Sequence, residues 1–351
     1  MSAIERRPRA GGGRSQIGAP YPVSGPRLRG GDVRFFLPLL LISAAPLPVN
    51  DALIQSDALP PRLSELHLFD GAKPAAALQP YTLSTPLFTD YASKWRWIYT
   101  PPGTQLDWTG DGLPEFPVGS VLIKSFGYPA DLRKPDANIR MLETRLLMKR
   151  ASGWVALPYV WDADGKDATL KRAGTRMAVR WTHNDGKPRE ISYAVPNANQ
   201  CKGCHDVAGQ LSPIGPKLRN LATGPDRPAP ARPLPRWDDA KFALEPRARA
   251  YLDVNCGHCH NRKGPADTSG LWLDWDDQPG PNLGIRKRPV AAGRGSGLNE
   301  FDILPGHPDK SILITRMQSL DPGVAMPELG RTTVHDEGVT LLSRWIAAMP
   351  Q

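Results

Sequence analysis

All four cysteines of the 351-residue sequence fall in two short groups of the same form. In one group Cys201 and Cys204 are followed by His205, and in the other Cys256 and Cys259 are followed by His260, so both read C-x-x-C-H. Two thiols three residues apart lie on one face of a helical turn, where both can form thioethers with the vinyl groups of one haem. The next histidine then ligates the iron. The pattern predicts two covalently attached haem c groups.

Three other types of cysteine chemistry compete with haem attachment. Exported proteins favour disulfides. A Cys₄ zinc site also uses two cysteine pairs, but 51 residues separate the pairs here, against about 15–20 in the usual zinc ribbon. A thioredoxin-like C-x-x-C group requires no histidine after its second cysteine, whereas both groups have one.

The N-terminal segment predicts export. Residues 1–34 contain seven arginines, residues 35–42 are almost entirely apolar, and small residues follow at 43–45. This order of charge, apolar segment and small residues is typical of a secretory signal peptide. We therefore interpret residues 1–52 as leader and signal peptide, with cleavage between Ala44 and Ala52, and expect a periplasmic protein.

The charge pattern and hydropathy exclude two classes of protein. The formal net charge is +9, but more than half of it lies in the leader, so the folded part lacks the basic excess of a nucleic-acid binder. No apolar run reaches the ~18 residues of a transmembrane helix. We expect no nucleic-acid partner and no transmembrane span in the mature chain.

Residues 81–196 are predicted to be β-rich and sandwich-like. They contain Asp164-Gly165 and Asp185-Gly186, which are hairpin turn signals, and six of the ten tryptophans. Those tryptophans indicate a hydrophobic core or, alternatively, a carbohydrate- or ligand-binding face. The short β-prone runs are residues 95–99, 120–126, 142–148, 154–161 and 177–181.

The remainder is predicted to be helical, which makes the fold class α+β. Residues 197–244 hold the first haem-binding group and a proline-rich linker from 222, and residues 245–351 form a cytochrome c-like domain. Helices are expected over 247–255, 309–320 with Asp309 as N-cap, and 336–349, the last with one apolar stripe at three- and four-residue spacing.

The C-terminal third resembles class I cytochrome c, because a C-x-x-C-H group is followed by a Met326-Pro327 loop and a terminal helix with Trp345. The sequence from about Thr85 onward resembles a family of exported bacterial diheme c-type cytochromes with a β-rich N-terminal region. The resemblance implies exported electron-transfer chemistry and indicates no substrate. The stretches that carry it are residues 86–94, 153–161, 199–205 and 289–297.

The class I resemblance implies iron ligands for the second haem. His260 is the proximal ligand, and Met326, 66 residues later, is the sixth ligand. A thioether favours Fe(II) and raises the potential. The second ring nitrogen of His260 should donate to a carbonyl, for which Pro265 is the expected source. His258, a spacer inside the motif, is expected to be exposed.

The first haem has a less complete set of ligands. His205 is its proximal ligand, with Pro216 as the expected carbonyl partner. Residues 206–250 contain no methionine and no histidine, so this haem either has a distant sixth ligand or an open position. The distant candidates are Met317, Met141, Met148, Met177 and His183.

These features predict one-electron transfer between transiently docked redox partner proteins. The alternative is a diheme, peroxidase-like enzyme that reduces a small molecule at an open first haem. A third interpretation is a binding module whose β-rich part captures a ligand through surface aromatic residues.

Overall fold

A computed structural model describes residues 47–351. The charged leader and the apolar segment of the predicted signal peptide lie outside the described residues, so export stays a prediction. The helices are α1 (Asp51–Gln55), α2 (Ala198–His205), α3 (Leu244–Asn255), α4 (Ile312–Gln318) and α5 (Asp336–Ala347).

Strands dominate the described chain before Ala198, and four of the five helices begin at or after it, which confirms a β-rich α+β class. The strands are β1 (Phe69–Asp70), β2 (Lys73–Pro74), β3 (Gln79–Pro80), β4 (Thr82–Leu83), β5 (Ser93–Tyr99), β6 (Val121–Pro129), β7 (Ile139–Arg150), β8 (Gly153–Trp161), β9 (Ala168–Leu170), β10 (Thr175–Thr182), β11 (Pro188–Val195), β12 (Asp206–Val207), β13 (Gln210–Leu211) and β14 (Leu221–Thr223).

The largest sheet has six antiparallel strands in the order β3-β5-β6-β7-β8-β9. Four of the five predicted β-prone runs form its β5 to β8, and the fifth forms β10, which pairs with β11 in a separate hairpin. Gly165 and Gly186 adopt φ of +67° and +79° in the turns after β8 and β10. Both predicted hairpin turns are therefore confirmed.

The two faces of this sheet differ in chemistry. On one face Tyr99, Ile123 and Leu146 pack in a core that includes Ile54 of α1. The other face is apolar at both ends, where two further clusters lie. Between those clusters it carries charged side chains, and this charged strip faces the site described below.

Five of the six tryptophans of the β-rich part pack in or against its hydrophobic clusters. Trp161 and Trp181 are buried, and the other four are half-buried. None of these six side chains is exposed, so the structure favours the core interpretation over an aromatic ligand-binding face. The half-buried four are Trp95, Trp97, Trp108 and Trp154.

The C-terminal helices pack around one hydrophobic cluster. Along α5 the predicted stripe is buried, with Leu342 and Ile346 fully inaccessible, which confirms the pattern. Helix α4 begins later than predicted, because Pro308–Lys310 form a separate 3₁₀ turn. The Ser311 hydroxyl donates to the His307 carbonyl across that turn at 2.9 Å. Asp309 is therefore not an N-cap.

The proline-rich segment over 222–244 connects the two parts and packs against both. Leu234 is 3% exposed and packs against Val254 of α3. The Thr85 hydroxyl donates to the Pro235 carbonyl at 2.7 Å. The described residues accordingly form one compact unit. Among them no helix has the length and hydropathy needed to cross a membrane.

Candidate functional site

The first C-x-x-C-H group occupies the end of helix α2. Asn197 and Gln200 cap the start of that helix reciprocally: the Asn197 side chain accepts from the Gln200 N–H at 2.8 Å, and Gln200 accepts from the Asn197 N–H at 3.0 Å. The helical backbone continues to His205, so Cys201 and Cys204 lie on one face. This is the geometry that the motif predicts.

The second group follows helix α3 directly. The Cys259 N–H and the His260 N–H both donate to the Cys256 carbonyl, at 3.1 and 2.9 Å, so the group forms a helical turn of its own. A Cβ at Gly257 would lie 2.8 Å from the Asp253 carbonyl oxygen. Glycine is therefore the residue that this tight turn accepts.

Both motif histidines are held through Nδ1. His205 Nδ1 lies 2.9 Å from the Ser212 carbonyl oxygen, which can only accept, so Nδ1 carries the proton. His260 Nδ1 lies 3.1 Å from Ser269 Oγ, and that hydroxyl donates to the Ala266 carbonyl at 2.6 Å, so it too accepts from the histidine. In each imidazole the Nε2 lone pair is left free for another ligand.

These partners correct two predictions. The expected carbonyl sources, Pro216 and Pro265, are replaced by the Ser212 carbonyl and the Ser269 hydroxyl. Both partners lie within nine residues of their histidine, but an ordinary serine in a loop carries no sequence signal of this role. Burial lowers the pKa of both histidines to about 4, which keeps the imidazoles neutral.

All seven predicted site residues line one cavity of about 880 Å³. The two motifs are in contact there. A hydrogen bond with the Cys259 side chain, and a weaker effect of a hydrogen bond with His258, lower the pKa of the Cys204 thiol. The four cysteines are free. Within residues 47–351 no three His, Cys, Asp or Glu side chains are arranged to hold a metal ion.

The spacer position of His258 predicted an exposed side chain, and this prediction is wrong. His258 is half-buried and lines the cavity, and its Nδ1 is buried without a hydrogen-bond partner among the described residues. The reason is that the second motif packs against the first, so a residue between the two cysteines faces a neighbour instead of solvent.

Met326 lies in the loop between α4 and α5 and faces the same cavity. Its N–H donates to the Arg316 carbonyl at 3.0 Å, and its own carbonyl accepts from the Arg331 guanidinium at 3.0 Å. Arg331 also donates to the carbonyls of Arg316 and Ser319. One guanidinium thus ties together the start and end of the loop that presents the thioether.

A segment of the β-rich part anchors this loop from the other side. Asp90, 2% exposed, accepts from the backbone N–H groups of Thr332 and Thr333 at 2.7 and 2.8 Å and from both threonine hydroxyls. Two residues earlier, the Phe88 N–H donates to Asn255 Oδ1 at 2.8 Å, next to the second motif. Residues 87–90 therefore contact both the Met326 loop and the end of helix α3, which precedes the second motif.

Of the five distant ligand candidates for the first haem, only Met317 lines the cavity. Met148 is fully buried in the core on the opposite sheet face. The others pack in the apolar clusters or against aromatic rings: Met141, Met177 and His183.

Several residues that line the cavity belong to no sequence motif and were not predicted. Lys124 of β6 and Arg145 of β7 contribute positive charge to the cavity wall.

Comparisons with protein-family models, curated proteins and solved structures found no match to this chain.

Proposed function

We propose that this chain is a diheme c-type cytochrome that transfers single electrons between redox partner proteins. The observation that carries the proposal is the arrangement of the two C-x-x-C-H groups. Each forms a helical turn with free thiols and a histidine that is held through Nδ1, so that its Nε2 lone pair can bind a metal ion, and both open into one cavity. This donor set fits covalent haem attachment.

In this proposal each residue has a defined role. Cys201 and Cys204 would attach the first haem, and Cys256 and Cys259 would attach the second. His205 and His260 would ligate the two irons, and Met326 would complete the ligation at the second haem. When bound, haem iron supplies reversible one-electron chemistry between Fe(III) and Fe(II).

The surrounding residues tune and protect that chemistry. Ser212 and Ser269 hold the imidazoles in the ligating tautomer, which is the usual role of such partners. Arg331 and Asp90 fix the Met326 loop. The Cys204 and Cys259 side chains contact each other, so haems attached at these two groups would lie side by side, which favours electron exchange between them. The export signal and the resemblance of residues 245–351 to class I cytochrome c support a periplasmic carrier with transient partners.

Covalent haem content and CO reactivity test the proposal. The chain is expressed with its leader in a host that matures c-type cytochromes, and the purified protein is examined by intact mass and by the absorption spectrum of the dithionite-reduced form. We expect two covalent haems. Cys201→Ala with Cys204→Ala should leave one, and Cys256→Ala with Cys259→Ala is the reciprocal control.

A protein matured in that host without covalent haem would overturn the proposal and restore the zinc and disulfide interpretations. Reduced bands that CO leaves unchanged support a carrier with two six-coordinate irons. A CO-induced change in about half of the haem would instead favour the peroxidase-like alternative, with peroxide turnover as the next assay.

A further inference from the structure

Three cations lie in one row across the central sheet. Register pairs Arg96 of β5 with Lys124 of β6, and Lys124 with Arg145 of β7, so the three side chains project from the same face. We call these three residues the cation row. Like charges directly opposite one another in a sheet are destabilising, and a row of three needs a compensating anion.

The protein supplies only part of that compensation. Glu143, fully buried, accepts from Arg145 Nε at 2.8 Å and from the Tyr193 hydroxyl at 2.7 Å. Its carboxylate therefore pairs with Arg145, at one end of the cation row. The next acid, Asp90, is held by Thr332 and Thr333 as described above. A fourth cation, Lys94, lies on the same face of the sheet, two residues before Arg96 along β5. Four cations therefore face two carboxylates.

The row contains groups without partners. Lys124 lies over the Phe126 ring, 4.9 Å from its centroid, and within residues 47–351 its ammonium makes no hydrogen bond or ion pair. Arg96 is 9% exposed, and one of its terminal nitrogens is buried without a hydrogen-bond partner in the same part of the chain. Burial, followed by the neighbouring Arg96 and Lys94 charges, lowers the pKa of Lys124 well below its usual value.

The row opens onto the cavity next to the first motif. Lys124 and Arg145 both line the cavity together with Cys201 and His205. Burial raises the pKa of the Cys201 thiol, and the Arg145 charge partly offsets that shift. The positive charge of the row is thus within electrostatic range of the first attachment site.

We propose that the cation row binds a carboxylate inside the cavity, beside the first C-x-x-C-H group. Arginine and lysine are the residues that pair with carboxylates in partly buried sites. The carboxylate comes either from the propionates of the haem attached at Cys201 and Cys204 or from a small free ligand. The first source rests on the proposed function, and the second does not.

The experiment compares Lys124→Gln, which removes the charge, with Lys124→Arg, which keeps it. Lys166→Gln is the matched control, because Lys166 lies in the exposed turn after β8 and pairs there with Asp164. Each protein, matured with haem, is examined by intact mass, by resonance Raman of the propionate bending bands, and by calorimetric titration with succinate. Lys124→Met, which removes the charge and keeps an unbranched side chain over the Phe126 ring, provides a second variant should Lys124→Gln fail to fold.

If the propionates fill the site, the propionate bending band shifts in Lys124→Gln and stays in place in Lys124→Arg and Lys166→Gln, and succinate does not bind. If a free carboxylate fills it, succinate binds the unmodified chain, and Lys124→Gln weakens its affinity about tenfold or more, as expected for a lost hydrogen bond to a charged group. Unchanged propionate bands together with no Lys124-dependent succinate binding overturn the inference.

Haem content separates this inference from the proposed function. Two covalent haems with neither effect would leave the cytochrome proposal standing and remove the carboxylate site. A haem content of zero would remove the cytochrome proposal, and the succinate titration, which needs no haem, would then decide the carboxylate site alone.

Discussion

Asp90→Ala tests whether the β-rich part positions the Met326 loop. The carboxylate accepts from two backbone N–H groups, of Thr332 and Thr333, and from the two threonine hydroxyls. The hydroxyls can turn to other acceptors, but the backbone donors cannot. A hydrogen bond to a charged group contributes about 1.5–3 kcal/mol, so two of them give about 3–6 kcal/mol.

We expect the lower end of that range, because both threonines are half-buried and water can reach the freed donors. The loss in unfolding free energy should be about 3 kcal/mol, measured by chemical denaturation. The effect should also be local: hydrogen exchange at the Thr332 and Thr333 amides should accelerate. In the haem-loaded protein, the absorption band of methionine-ligated ferric haem should weaken in one of two haems.

Asp111→Ala is the matched control. Its carboxylate also accepts from two backbone N–H groups, of Ala231 and Arg232 at 2.7 and 2.8 Å, but that contact is exposed and distant in sequence from the Met326 loop. It should cost about 1 kcal/mol and leave the methionine band intact. The reasoning is refuted if Asp90→Ala costs no more than Asp111→Ala or leaves the exchange of both threonine amides unchanged.

Three further predictions follow from single contacts. Met326→Leu, which keeps the volume and removes the thioether, should abolish the methionine band while intact mass still gives two haems; retention of the band would reject this ligand. Burial lowers the pKa of Lys94 to about 7, so the unfolded chain binds more protons from there to about pH 10.5. Unfolding free energy should therefore rise with pH across that window, and Lys94→Met should lower the slope by up to about 1.4 kcal/mol per pH unit in denaturation series; equal slopes would contradict the assignment. Because Asn50 caps α1 through its side chain at 3.1 Å, mass spectrometry of the protein expressed with its leader should place its first residue at 45–49, and a start beyond Asn50 would contradict this.

The features that could be predicted from the sequence are those that a short stretch of chain determines. The two C-x-x-C-H turns need only four or five residues each, and the strands β5 to β8 carry runs of β-branched and aromatic residues. The apolar stripe of α5 repeats at helical spacing. In each case the residues that produce the signal are the residues that form the element.

The missed features depend on contacts between distant segments. Asp90 meets Thr332 across 242 residues, and the Cys204 side chain meets Cys259 across 55 positions of sequence. No periodicity or spacing reports such a pairing in a single sequence. The wrong prediction for His258 has this origin, because its exposure depended on whether the two motifs pack together.

The β-rich part contributes residues to the candidate site. Residues 87–90 hold the Met326 loop and contact Asn255 beside the second motif, while β6 and β7 supply the charged wall next to the first. Residues 87–90 precede β5, and the charged wall comes from the face of the sheet that carries the cation row. The Met326 loop is held between Arg331 on its own side and Asp90 on the other. The iron ligation that we propose would therefore respond to changes in the segment that carries Asp90, and this contact is a physical route from the β-rich part to the Met326 loop.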